Sequence, residues 1–97
     1  MSAFRDIEVV VIRPKPGAET ELLAIRVQLL EEYRAAFGDR FDAVLSEETP
    51  GRWVDVWSWV SRADAEHALS HRELIPSFSR WEELVELESL TWATVIG

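Results

Sequence analysis

The chain contains no cysteine, which removes disulfides, thiolate metal sites and cysteine nucleophiles and leaves packing alone to hold the fold. It also lacks an apolar run near the ~18 residues that a membrane-spanning helix requires, so no membrane is expected as a partner. Cations are scarce. Ten Lys and Arg against eighteen Asp and Glu give a net charge of −8, and the ten are scattered along the chain. Such a surface repels a phosphate backbone, so no nucleic acid is expected to bind. The opening residues carry no charged region followed by an apolar stretch and a small-residue cleavage site, which makes the cytoplasm the expected location. Linkers, repeats and low-complexity stretches are missing too, and 97 residues suit a single domain over 1–97.

What is present reads as six alternating segments. A β-branched run from Asp6 to Arg13 is closed by Pro14, Pro16 and Gly17, poor strand residues and good turn formers. From Ala18 to about Phe37, Leu22, Leu23, Val27, Leu30 and Tyr33 or Phe37 recur at three- and four-residue steps, as one buried helix face demands, and Gly38 offers a stop. Phe41 to Glu48 and Trp53 to Val60 are two further strands. Thr49-Pro50-Gly51-Arg52 joins them with the residues of a type II turn. Ser61, three residues before Asp64, predicts the cap of a second helix through Ala63, Ala65, Ala68 and Leu69. Pro76 interrupts that helix, Ser79 with Glu82 repeats the cap spacing, and Trp81, Leu84 and Val85 precede a last strand over about Leu87 to Ile96.

The order βαββαβ predicts an α+β, ferredoxin-like fold: a four-stranded antiparallel sheet with two helices on one face. Alternation sorts Ile7, Val9 and Val11 from Glu8, Val10 and Ile12, and Val54, Val56, Ser58 and Val60 from Trp53, Asp55, Trp57 and Trp59, giving one smooth aliphatic face and one that mixes aromatics with acids. Val60, just before the Ser61 cap, assigns the valine face to the helices. The tryptophan face is then left uncovered, and Trp53, Asp55, Trp57, Trp59 and Trp92 are expected to form a homodimer interface. Asp55 there invites two readings: a general base with a raised pKa, or an architectural carboxylate paired across the dimer with Arg52 or another cation of the second copy.

Pro16-Gly17, Gly51-Arg52-Trp53-Val54-Asp55-Val56-Trp57-Ser58-Trp59 and Ser61-Arg62-Ala63-Asp64-Ala65 together resemble the antibiotic-biosynthesis-monooxygenase-like proteins. The resemblance covers nearly the whole chain and implies the dimeric α/β-barrel fold, with small hydrophobic molecules such as polyketide quinones, or haem in one branch, bound between sheet and helices. Several members oxidise such substrates with molecular oxygen and without metal or flavin, so the resemblance implies no cofactor. The Asn, Trp and His of haem-degrading members fall here on Val10, Ala68 and Phe78, which argues against haem. The helix-two histidine of many quinone-oxidising relatives falls on Ala68, with His67 beside it, a rotation of ~100° around a helix.

The small valines and alanines expected beneath Tyr33, Phe78 and Trp81 leave room for a ligand cavity touched by those three residues and by His67 and His71; complete packing is the alternative. His67 and His71, four residues apart, have the spacing of two metal ligands. No third ligand lies near, and no metal is expected. His67, His71 and Tyr33 are the residues able to handle a proton beside such a cavity. Two functions remain open: a cofactor-independent monooxygenase of a small aromatic or quinone-like compound, and a non-catalytic dimeric module binding a small hydrophobic ligand or another protein. RNA-recognition and acylphosphatase modules of the same element order are excluded by the missing basic surface and by Pro14-Lys15-Pro16-Gly17, where the latter needs an arginine.

Overall fold

Four β-branched or aromatic segments pair into one antiparallel sheet in a computed structural model that describes residues 3–97; Met1 and Ser2, part of the opening segment read for an export signal, lie outside it. The strands are β1 (Asp6–Pro14), β2 (Phe41–Thr49), β3 (Arg52–Trp59) and β4 (Val85–Thr94), in the order β2-β3-β1-β4. Helix α1 (Glu19–Phe37) connects β1 to β2, and α2 (Arg62–Leu69), a 3₁₀ turn (Arg72–Leu74) and α3 (Phe78–Leu84) connect β3 to β4. This is the expected α+β ferredoxin-like arrangement. Gly51 sits at φ 79°, the left-handed conformation that the β2–β3 turn needs and a side chain resists. The Ser61 side chain accepts from Asp64 N as the cap of α2. Ser79 lies inside α3, not at its cap. Position 77 opens that helix, held by the Glu32 carboxylate, which accepts from Ser77 N at 2.9 Å and Ser77 Oγ at 2.6 Å.

The two sheet faces are the reverse of the expected assignment. Trp53, Asp55, Trp57 and Trp59 are all buried under the helices, and Trp92 packs partly buried against the same core. They therefore do not form the uncovered face assigned above to a dimer interface. Alternation separates two faces without saying which is covered. The space between helix and sheet layers requires bulky side chains, supplied by Phe41, Trp57, Trp59 and Tyr33, whose ring centroids lie 4.7–6.4 Å apart. Val60 falls beyond the end of β3, so its proximity to the cap does not report on the strand's alternation.

Helix α1 turns accordingly. Its buried residues are Leu22, Ile25, Arg26, Leu29 and Tyr33, while Leu23 and Val27 are exposed. Among the described residues Leu22, Leu29 and Ile12 are the largest fully buried side chains, each contributing about 1.5–3 kcal/mol by removal from water. Across the other sheet face, register aligns Val44, Val56, Val9 and Thr91 in one row and Ser46, Val54, Val11 and Ser89 in the next. This second face is flat, small and aliphatic, and Val44 is 58% exposed.

Candidate functional site

Reversal of the faces places a carboxylate-bearing strand row under the helices. Asp55 is 3% exposed, and Arg26, on the stripe of α1 that faces the sheet, is 6% exposed. Arg26 NH2 donates to Asp55 Oδ1 at 2.6 Å. Burial pushes the Asp55 pKa up and the Arg26 pKa down, and each partner's charge opposes the shift of the other. Asp55 thus pairs within its own chain. Arg52, the cation expected to reach it from a second copy, is engaged instead by Glu48 and Glu88. The Arg26 guanidinium also lies 5.1 Å from the Trp57 ring centroid, a favourable cation–π contact.

Beside this ion pair a cavity of about 180 Å³ opens between sheet and helices. Its floor comes from Glu8, Val10 and Ile12 of β1 and Asp55, Trp57 and Trp59 of β3; Leu29 and Tyr33 of α1, Ala65 and Ala68 of α2, and Phe78 and Trp81 of α3 form the walls. Register explains why β4 contributes both Leu87 and Leu90. The pairing with β1 shifts between Val11 and Ile12, with Ser89 opposite Val11 and Leu87 opposite Ile12. The extra residue, Glu88, lets an odd- and an even-numbered leucine face the same side. Leu69, Leu87 and Leu90 remain largely exposed at the rim. Arg72 and Glu82 also line the opening, 3.6 Å apart, with the Arg72 guanidinium 4.2 Å from the Phe78 ring centroid.

Of the residues expected to touch a ligand, Tyr33, Phe78 and Trp81 line this cavity and His67 and His71 do not. His67 is exposed, edge-on to Phe37 at 5.7 Å and 4.2 Å from the His71 ring. His71 Nδ1 lies 2.8 Å from the His67 carbonyl oxygen. His67 turns toward solvent because Ala65 and Ala68 occupy the inward face of α2, and His71, beyond the end of that helix, is half-buried outside the cavity. Among the described residues no group of three or more His, Cys, Asp or Glu converges as a metal site.

Glu8 is the functional candidate that sequence reasoning missed. It stands opposite Trp57 of β3 and Trp92 of β4, half-buried in the cavity floor. Burial raises its pKa above the ordinary 4.5, partly offset by the Trp59 indole and by Arg62 and Arg72, and reinforced by the Asp55 charge. Trp59 Nε1 is buried without a hydrogen bond of good geometry, although it lies near enough to favour the Glu8 carboxylate. The signal was an acid set within a β-branched run, two residues after the Asp6 that opens the strand. Tyr33, by contrast, is pushed up to about 12 by burial and then by the Glu8 charge, so its hydroxyl stays protonated near neutrality.

No protein-family sequence model matches the chain, and no curated protein sequence does. Solved structures do. SnoaB, a cofactor-independent oxygenase from Streptomyces nogalater, aligns with TM-score 0.71 and 14% identity over 96% of this chain and 95% of its own. ActVA-Orf6, a monooxygenase from Streptomyces coelicolor in complex with nanaomycin D, aligns with TM-score 0.74 and 16% identity over 98% of this chain and 90% of its own. A conserved protein from Methanosarcina mazei gives TM-score 0.73 and 17% identity over 94% and 93%. At such identities the likeness establishes architecture, and over nearly its whole length the chain shares the fold of the antibiotic biosynthesis monooxygenases.

Proposed function

We propose that the protein binds a one- or two-ring aromatic molecule in the cavity beneath its helices and oxidises it with molecular oxygen, without metal or flavin. One observation carries this reading: an aromatic-lined cavity with a half-buried carboxylate in its floor. Size supports the substrate class. A cavity of ~150 Å³ accommodates benzene, so about 180 Å³ suits a slightly larger ring system, and a third ring would extend past the leucine rim. The similar folds of a cofactor-independent oxygenase and of a monooxygenase add support for the reaction class. A hydroxyarene fits the chemistry: the ring carbon para to the hydroxyl exchanges its hydrogen for a carbonyl oxygen from O₂. The second oxygen atom leaves as water, so a naphthol plus O₂ gives a naphthoquinone plus water. Oxygen-electrode measurements with a panel of naphthols and anthrones test it: enzyme-dependent uptake with quinone formation supports the reading, and binding without uptake rejects it.

The position of both histidines outside the cavity favours the alternative of a binding module without turnover. Mass spectrometry of ligands retained through native purification, combined with absent oxygen uptake, would select it. In either case the second copy of a homodimer belongs on the flat face of Val9, Val44, Val54 and Val56. Small aliphatic side chains suit packing of one sheet on another, and a stable contact there should bury more than ~1,000 Å².

A further inference from the structure

Every acid–base group in or near the cavity can be assessed for the role of proton acceptor. His67 and His71 lie outside it. Tyr33 holds its proton at neutral pH. Asp55 is committed to Arg26 at 2.6 Å, and Glu82 stands at the exposed mouth beside Arg72. Among the described residues, Glu8 alone is a cavity carboxylate with no cation bonded to it; it stands on the central strand β1, with Trp57, Trp59 and Tyr33 lining the same cavity. We infer that Glu8 is the catalytic base of this site, accepting the hydroxyl proton of a bound hydroxyarene so that the resulting anion can give electrons to oxygen. The inference deepens the oxygenase reading and rests on it. In this step the substrate O–H bond breaks, its electron pair stays on the ring oxygen, and the proton forms an O–H bond on the Glu8 carboxyl.

The surroundings suit the task. Glu8 shares the cavity with Tyr33 from α1, Asp55 from β3, Arg72 from the 3₁₀ turn and Glu82 from α3, feels the charge of Arg62 from α2, and lies beside an Asp55 that is already paired with Arg26 of α1. Burial outweighs the charges of Arg62 and Arg72, which are paired with Glu66 and Glu82, and raises the Glu8 pKa, bringing it nearer the operating pH, where a general base is most effective. Tyr33, kept protonated, can donate to the developing oxyanion.

Glu8→Gln is the first test, because the amide keeps the shape and cannot take the proton. Turnover of a naphthol should fall by about 10²–10⁴-fold with KM changed only a few-fold. In the wild type, kcat/KM should rise with pH through an ionisation above the ordinary carboxylate range, and the variant should lack that limb. Glu8→Asp should restore part of the rate. A melting curve checks that Glu8→Gln folds. Retained turnover and an unchanged pH profile would overturn the assignment. If the wild type consumes no oxygen with any compound, the oxygenase reading fails and Glu8 is judged by binding, followed through tryptophan fluorescence. Wild type should then prefer a naphthol to its methyl ether by about tenfold, as a hydrogen bond to a charged acceptor implies. Glu8→Met should lose that preference; equal preference in both proteins would refute the role.

Discussion

Replacing Asp55 by Ala should destabilise the fold more than any other single change to a polar residue, because it strands a buried guanidinium. Arg26 is 6% exposed, and among the described residues its Nε and NH1 have no hydrogen-bond partner and its only short carboxylate contact is Asp55. Removing one partner of a buried ion pair costs about 3–5 kcal/mol, a large share of the ~5–15 kcal/mol that stabilises a typical domain. At ~4–8 °C per kcal/mol for a domain of this size, the melting temperature should fall by more than about 12 °C. The assay is urea unfolding at one fixed protomer concentration, since dimerisation would add a concentration-dependent term. Arg26→Met/Asp55→Leu, which removes both charges, should recover most of the loss, because well-packed apolar replacements of buried pairs are often neutral or better. An Asp55→Ala cost under about 1 kcal/mol, or a double variant no more stable than the single one, would refute the argument.

Glu8→Gln should stabilise the folded protein at neutral pH even as it removes the base. Burial raises the folded Glu8 pKa above 4.5, so the folded state binds that proton more tightly than the unfolded chain. The Glu8 contribution is favourable below 4.5 and is lost as pH rises through the folded value; unfolding measured across this window should show a shallower decline in the variant. Val56→Asp, in the centre of the flat sheet face, should convert a dimer to a monomer by light scattering while leaving the aromatic core intact, and a variant still dimeric at micromolar concentration would move the interface elsewhere. His67→Ala and His71→Ala should each change turnover less than about twofold, because both rings lie outside the cavity; a hundredfold loss in either would return the histidines to the chemistry.

Element order was legible because Pro50-Gly51, the Ser61 cap and the β-branched runs each carry their own local physics. Orientation of the layers was not: Val60, beyond the end of β3, pointed to the wrong face, and a buried ion pair disguised the right one. Arg26 interrupts the apolar stripe of α1, which keeps Leu22 and Tyr33 in the apparent stripe but exchanges Ile25 and Leu29 for Leu23, Val27 and Leu30. Asp55 likewise makes the tryptophan row look like a face meant for water or a partner. Each charge looks misplaced alone; together, 29 positions apart, they satisfy one another beneath the helices. Tyr33, Phe78 and Trp81 do line the cavity, but the valines of β3 expected beneath them lie on the opposite face, and Trp57 and Trp59 form the floor instead. Glu8 was concealed because one acid in a strand reads as a solvated position until its cross-strand neighbours, Trp57 and Trp92, are known.

A crystal structure of the protein with a hydroxynaphthoquinone tests the central claim most directly. The account predicts the ring system between Trp57, Trp59, Phe78 and Trp81, its hydroxyl within about 2.6–3.2 Å of the Glu8 carboxylate. A ligand bound only on the valine face, or a cavity that stays closed to the compound at saturating concentration, would contradict it.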